Sequence, residues 1–212
     1  MSSEAVYLST AYLGPIQYYC KLYAYGSAMI EACEHYPKQT YRNRCIIAGA
    51  NGPLSLSVPV EKSAEAKMLT RDVRISDHGN WRRMHRQALI SAYNMSPFFE
   101  YYADDFAAIY DRPFGFLIDF NDALCRLACS LLDLNPKLSR TTSYAEEVPN
   151  DCRNIIRPRH PQQDEAFRPV PYYQVFASRH GFLPNLSIAD LLFNLGPEGL
   201  IVLRDSCCET NA

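Results

Sequence analysis

The segment Val6-Tyr7-Leu8-Ser9-Thr10-Ala11-Tyr12-Leu13-Gly14-Pro15 opens with four strand-forming residues and turns between Thr10 and Gly14. Pro15 is suited to start a helix, because its missing N–H costs nothing in a first turn. Ile16, Tyr19, Cys20 and Tyr23 then recur at helical spacing, and Gly26 ends the helix. Ala28-Met29-Ile30-Glu31 reads as a second strand. A strand, a helix and a strand within so short a span predict a parallel crossover unit. The fold class that follows is α/β (or α+β). The first turn points at a helix N-terminus, where backbone donors favour an anion, and Thr10 and Tyr12 are its candidate lining residues. A plain tight connection accounts for the same turn.

Further along, Arg42 to Ala48 runs into Gly49-Ala50-Asn51-Gly52-Pro53, and Leu54-Ser55-Leu56-Ser57-Val58-Pro59-Val60 alternates apolar and polar residues. Asn-Gly near the tip and a period of two predict a hairpin, with Leu54, Leu56, Val58 and Val60 on the core face. Asp72-Val73-Arg74-Ile75 reads as another strand. A helix begins at Trp81, with Trp81, Met84, His85, Ala88, Leu89 and Ala92 on one stripe. Two more helices follow, Phe98 to Tyr110 and about Gly115 to Asp133, and Leu138 to Ser143 reads as a strand. The expected architecture is the strand–helix–strand unit and hairpin, followed by a helical half packed on a mixed sheet. Residues 1–205 form one domain and 206–212 a frayed tail.

Between the second strand and the hairpin lies His35-Tyr36-Pro37-Lys38-Gln39-Thr40-Tyr41-Arg42-Asn43-Arg44. Such density of forked donors, point charges and amides exceeds what a strand approach needs, and it suits a carboxylate, a phosphate or a sugar hydroxyl. A solvated hairpin strand with its polar face outward is the structural alternative. Lys38, Arg42 and Arg44 are the candidate anion contacts, and Gln39 and Asn43 the orienting amides. His35 and His85 are the candidate general bases, since histidine titrates near neutrality. A histidine on an apolar stripe also serves as a satisfied core residue. Residues 146–171 hold five of the fourteen prolines together with Arg153, Arg157, Arg159, His160 and Arg168. Long loops of this kind are functional lids or loosely held segments, and the basic residues suit a lid over an anionic ligand.

Composition limits the class. With 212 residues, 48% hydrophobic and 21% charged, the chain builds a proper core. A net charge of −2 argues against a sequence-independent nucleic-acid binder. No apolar run approaches the roughly 20 residues of a membrane span. The start of the chain shows no basic segment leading into an apolar one, so no secretory signal is read, and a cytoplasmic location is expected. The eight cysteines lack a Cys-x-x-Cys pair and are read as free thiols; no metal site is expected. Cys125 and Cys129 share a helix face, which suits packing. Walker, dinucleotide, Gly-x-Ser-x-Gly and His-Glu-x-x-His patterns are all missing, so the cofactor remains unknown. Cys33 beside His35 is a possible thiol pair with nothing visible to lower the thiol pKa.

Several strings together resemble the WbqC-like family, which is bacterial. They are Lys38-Gln39-Thr40-Tyr41-Arg42-Asn43-Arg44, Asn51-Gly52 with Leu56-Ser57-Val58-Pro59-Val60, and His78-Gly79-Asn80-Trp81 with His85, Ala92-Tyr93 and Pro97-Phe98-Phe99. Tyr173-Gln174-Val175-Phe176 and the run from Phe182 to Pro197 complete the resemblance. It implies a place in surface-polysaccharide (O-antigen) biosynthesis and a transferase that moves a glycine-like aminoacyl or acyl group onto a sugar. The ligand is then a small sugar or an acyl or aminoacyl compound. Trp81 and Tyr93 would stack on a ring or wall the pocket, and the closing motif would add Gln174, Asn185, Ser187 and Asp190. Ser187 and Asp190 also have capping-box spacing. The alternative is a non-catalytic glycan- or partner-binding protein of the same pathway.

Overall fold

The computed structural model describes residues 4–62, 67–159 and 161–208. β1 (Val6–Ser9), α1 (Ile16–Tyr25) and β2 (Ser27–Glu31) form the expected crossover unit, and β5 (Lys137–Arg140) completes a parallel sheet of order β1-β2-β5. Gly26 closes α1 at φ +66, a left-handed position that glycine reaches without a Cβ penalty. β3 (Arg44–Gly49) and β4 (Gly52–Ser57) pair antiparallel as the predicted hairpin. The parallel and antiparallel strands lie in two separate sheets.

The helical half comprises α2 (Trp81–Tyr93), α3 (Phe99–Asp111) and α4 (Leu117–Leu131). A short α5 (Ala177–His180), α6 (Ile188–Leu195) and α7 (Gly199–Ser206) follow. α6 is apolar on nearly every side and is buried from Ile188 to Asn194, as a helix without a polar face must be. It packs against α1, α2, α3, α4, α7 and β3, so the core is built around it. Its lead-in, Leu186-Ser187-Ile188, stitches distant segments together. The Ile16 N–H donates to the Leu186 carbonyl, Ile188 N–H to the Gly14 carbonyl, and Ser187 N–H to the Ile46 carbonyl, at 2.8–2.9 Å.

Several local expectations are corrected. Asp72–Ile75 is not a regular strand: a single 3-10 turn covers Thr70–Asp72, and only isolated bridges follow, Arg74 with Phe116 and Ile75 with Val60. Leu54 is 42% exposed, because the hairpin tip projects beyond the core that covers its partner Ile47. Met84 is 68% exposed on α2, while Trp81, His85, Leu89 and Ala92 are buried. A helical stripe read at three-and-four spacing is wider than the face a single neighbour covers. The chain is packed through Cys208 rather than frayed from 206: Ser206 is buried and Cys207 bridges Phe167. Residues 209–212 lie outside the described residues.

The basic segment 146–171 is irregular, yet it is tied down at several points. Asn150 to Cys152 runs beside β1, with Tyr7 N–H donating to the Asn150 carbonyl and Cys152 N–H to the Tyr7 carbonyl. This covers the free edge of the parallel sheet, which would otherwise offer unpaired backbone groups. Asp164 reaches Lys21 Nζ at 2.8 Å and Gln17 Nε2 at 2.7 Å. His160 falls outside the described residues.

Candidate functional site

The first turn carries Tyr12 into the core, its N–H donating to the Tyr41 carbonyl at 2.8 Å. The next residue, Leu13, is held at φ +42, a left-handed conformation that costs a bulky side chain energy. Tyr12 Oη lies 2.7 Å from His85 Nδ1 and also bonds the Tyr110 hydroxyl from α3. Trp81, one turn before His85 on α2, packs edge-on against the imidazole with ring centroids 5.2 Å apart. Phe120 of α4 closes the cluster beneath Tyr12, Trp81 and Tyr110.

Burial lowers the His85 pKa to about 4, and a hydrogen bond to the Ser57 backbone acts in the opposite sense. A backbone group that favours the protonated ring is a carbonyl, so the ring donates there and leaves Nδ1 to accept from Tyr12. Burial pushes the Tyr12 and Tyr110 hydroxyls well above their ordinary range, so both stay protonated. The result is a neutral imidazole wired through two phenols. Such an array can pass a proton without holding a permanent buried charge. Trp81 and Tyr110 also line an open cleft of about 510 Å³ between the start of α2 and the end of α3.

A second polar centre sits at the carboxyl edge of the parallel sheet, the edge at which α/β folds commonly hold ligands. Arg42, 5% exposed, makes a forked pair with Glu34 at 2.8 and 2.6 Å and donates to Ser9 Oγ at 2.5 Å. Arg153 spans Glu31 at 3.0 Å and Asp151 at 2.7 Å. Its pKa rises further, first through the Asp151 hydrogen bond. Glu31 is fully buried, and Thr141 Oγ1 and Cys33 N–H also donate to it. Asn121 ties this edge together by donating to Thr10 Oγ1 and to the Arg42 carbonyl. Here positive and negative charges already satisfy one another.

The remaining candidates are scattered. His35 is exposed, its backbone bridging Leu69. Lys38 is exposed, and Gln39, at φ +61, accepts from Arg159 at 2.7 Å. Asn43 donates to the Val58 carbonyl and Arg44 to Ser57 Oγ. Gln174 closes a loop by bonding both backbone groups of Leu183. Asn185 bonds Gln17 twice, through its backbone N–H and its side chain, and Ile16 N–H is taken by Leu186. The α1 donors expected to attract an anion at the first turn are therefore occupied.

Ser187 caps α6 by accepting from Ala189 N–H and donates to the Leu13 carbonyl. Asp190 does not turn back to complete the capping box. It accepts from Tyr93 at 2.7 Å and Tyr172 at 2.6 Å, and burial, against those bonds, raises its pKa. Tyr93 is fully buried, with its ring against Phe193. The partners missed by sequence reasoning are Tyr110, Glu31 and Glu34, which look like ordinary helix, strand and surface residues. Among the described residues no cluster of three or more His, Cys, Asp or Glu side chains is arranged to hold a metal. Among them, too, no helix is long and apolar enough to cross a membrane.

An α/β scaffold with a buried His–Tyr–Tyr array beside a cleft is the class this geometry defines. A sequence model of the WbqC-like protein family matches residues 10–159, a span that contains Tyr12, Arg42, His85 and Tyr110. The chain belongs to the WbqC-like protein family. It is also similar to the uncharacterised protein Rv1507c of Mycobacterium tuberculosis (strain ATCC 25618 / H37Rv), with 27% identity over 194 residues. That alignment covers 80% of this chain and 84% of the relative. No solved structure matches the chain.

Proposed function

We propose that the protein is a transferase that moves an aminoacyl or acyl group onto a sugar during bacterial surface-polysaccharide assembly. The observation that carries the reading is the neutral imidazole of His85, bonded through Tyr12 to Tyr110 next to an open cleft. A sugar hydroxyl or amine attacking an activated acyl carbon loses one proton. Tyr110, whose hydroxyl is fully buried and is reached when the cleft wall opens around the substrate, accepts it while its own proton passes to Tyr12 and the Tyr12 proton to His85 Nδ1. The new acyl–oxygen or acyl–nitrogen bond forms as the bond to the leaving group breaks. An imidazolium of such low pKa then returns the proton to that leaving group. The family resemblance suggests the substrate class, and the geometry supports the catalytic roles.

Mass spectrometry of sugar nucleotides incubated with aminoacyl and acyl donors tests this reading. A product mass increased by the acyl group is expected, and Tyr12→Phe or His85→Gln should lower turnover by about 100-fold while donor binding persists. Equal turnover in a well-folded Tyr12→Phe protein would remove His85 and Tyr12 from catalysis. One observation favours a second reading, a partner-binding role: Met84, Met95 and Tyr101 are 68%, 79% and 74% exposed across α2, α3 and their connection. That role predicts no product with any donor and loss of a partner complex on Met84→Ser.

A further inference from the structure

The cleft beside the His–Tyr–Tyr array carries a charge pattern that nothing else in the fold explains. Arg82, Arg83, Arg86 and Arg112 line it, against two carboxylates, Asp77 and Asp111. Arg82 pairs with Asp77 at 2.5 Å and Arg86 with Asp111 at 2.7 Å. That leaves Arg83 on α2 and Arg112 just beyond α3, both lining the cleft from separate elements, without an acidic partner among the described residues. The Arg112 guanidinium is steadied 5.2 Å above the Phe114 ring, and that of Arg82 4.6 Å above Trp81. Aromatic support of this kind orients a fork while leaving its donors free.

Helix stability works against this arrangement. Arg82 and Arg83 stand in the first turn of α2, at the positive end of its dipole; Asp77, ahead of the helix, offsets Arg82, but no acidic residue within the turn offsets Arg83. Asn80 makes no side-chain cap. The unpaired Arg83 cation at such a position is unfavourable for folding unless an anion shares the cleft. A volume of about 510 Å³ falls in the range of small-ligand sites.

We propose that this cleft binds the diphosphate of a nucleoside-diphosphate-linked ligand, with Arg83 and Arg112 gripping it from two separate elements. Guanidinium forks match phosphate oxygens in pairs, and two forks on separate elements suit a ligand with two adjacent phosphoryl groups. The placement sets the attached group beside Trp81 and Tyr110, where the proton array ends. That the attached group is the acceptor sugar rests on the transferase reading above; the diphosphate site does not.

Isothermal titration calorimetry with UDP, ADP, inorganic pyrophosphate and inorganic phosphate tests it. The nucleoside diphosphates and pyrophosphate should bind more tightly than phosphate, with affinity falling as salt rises. Arg83→Gln and Arg112→Gln, both at exposed positions, should each weaken binding about 10-fold or more, while Arg126→Gln on α4 leaves it unchanged. Absence of heat with every diphosphate, or equal weakening by all three substitutions, would overturn the proposal. Diphosphate binding without acyl transfer would sink the transferase reading alone. Acyl transfer to free sugars without diphosphate binding would sink this inference alone.

Discussion

Tyr12 Oη and His85 Nδ1 lie 2.7 Å apart, joining the first turn of the chain to a helix 73 positions later. The bond places a titratable ring inside the aromatic core, and its protonation there has a consequence for stability. The His85 pKa is lowered to about 4 from 6.5, so between those values the unfolded chain binds a proton that the folded chain refuses. Stability therefore falls on acidification from about pH 6.5 and levels off near pH 4, losing up to about 3 kcal/mol. Asp190, whose pKa is raised, contributes in the opposite direction at the acid end. Urea unfolding of wild type and His85→Gln across this range isolates the histidine: the variant should show a flatter profile. Parallel profiles would place the His85 pKa near its ordinary value.

Arg42→Ala should be strongly destabilising. The guanidinium is buried, and its removal strands Glu34, only 12% exposed, without its counter-ion. Breaking such a pair costs about 3–5 kcal/mol, whereas replacing both members costs much less. The double variant Glu34→Gln/Arg42→Met is expected to recover part of the loss in thermal unfolding. A melting temperature unchanged in Arg42→Ala would return Arg42 to the set of ligand-binding candidates.

Asp190→Asn tests the carboxylate between two tyrosines. Tyr93 and Tyr172 both donate to it, so an amide must turn its NH₂ toward one hydroxyl that has been donating. A loss of about 2 kcal/mol is expected by chemical denaturation, with Tyr172→Phe costing less. If Asn is tolerated without loss, the two hydroxyls have other acceptors.

Two glycines give an internal control. At Gly196, φ +56, an added Cβ would stand 2.5 Å from the Phe98 ring, whereas at Gly26, φ +66, it would meet nothing within 4 Å. Gly26→Ala should cost about 1 kcal/mol, from backbone conformation alone. Gly196→Ala should add overpacking of about 1–3 kcal/mol to that. Equal melting temperatures for the two variants would mean that Phe98 yields freely.

Much of the architecture was legible because its signals are local. Asn51-Gly52 and the alternation that follows specify the hairpin, and Pro15 and Gly26 bracket α1. Leu117, Phe120 and Leu124 mark the buried face of α4, and Ser187 the start of α6. Of the site, His85 and Trp81 could be named from their place on α2 and Tyr12 from the first turn, but not that Tyr12 would join His85 to Tyr110. Arg42 and Arg153 were visible only as basic residues in polar surroundings. Of their acidic partners, Glu34 and Glu31 lie 8 and 122 positions away, and nothing in a carboxylate's sequence context announces that it will be buried.

The sequence by itself determined most element types, their order and the family, because helix, strand and turn signals depend on neighbours within a few residues; Asp72–Ile75, read as a strand, is an exception. The tertiary structure alone decided which polar side chains face one another. It closed Arg42 and Arg153 into ion pairs, wired His85 to Tyr12 and Tyr110, and left Arg83 and Arg112 facing an open cleft. The reason is desolvation. Whether a charged or hydroxylic group serves structure or binding depends on what remains beside it once water has been excluded, and segments far apart in the chain supply those neighbours.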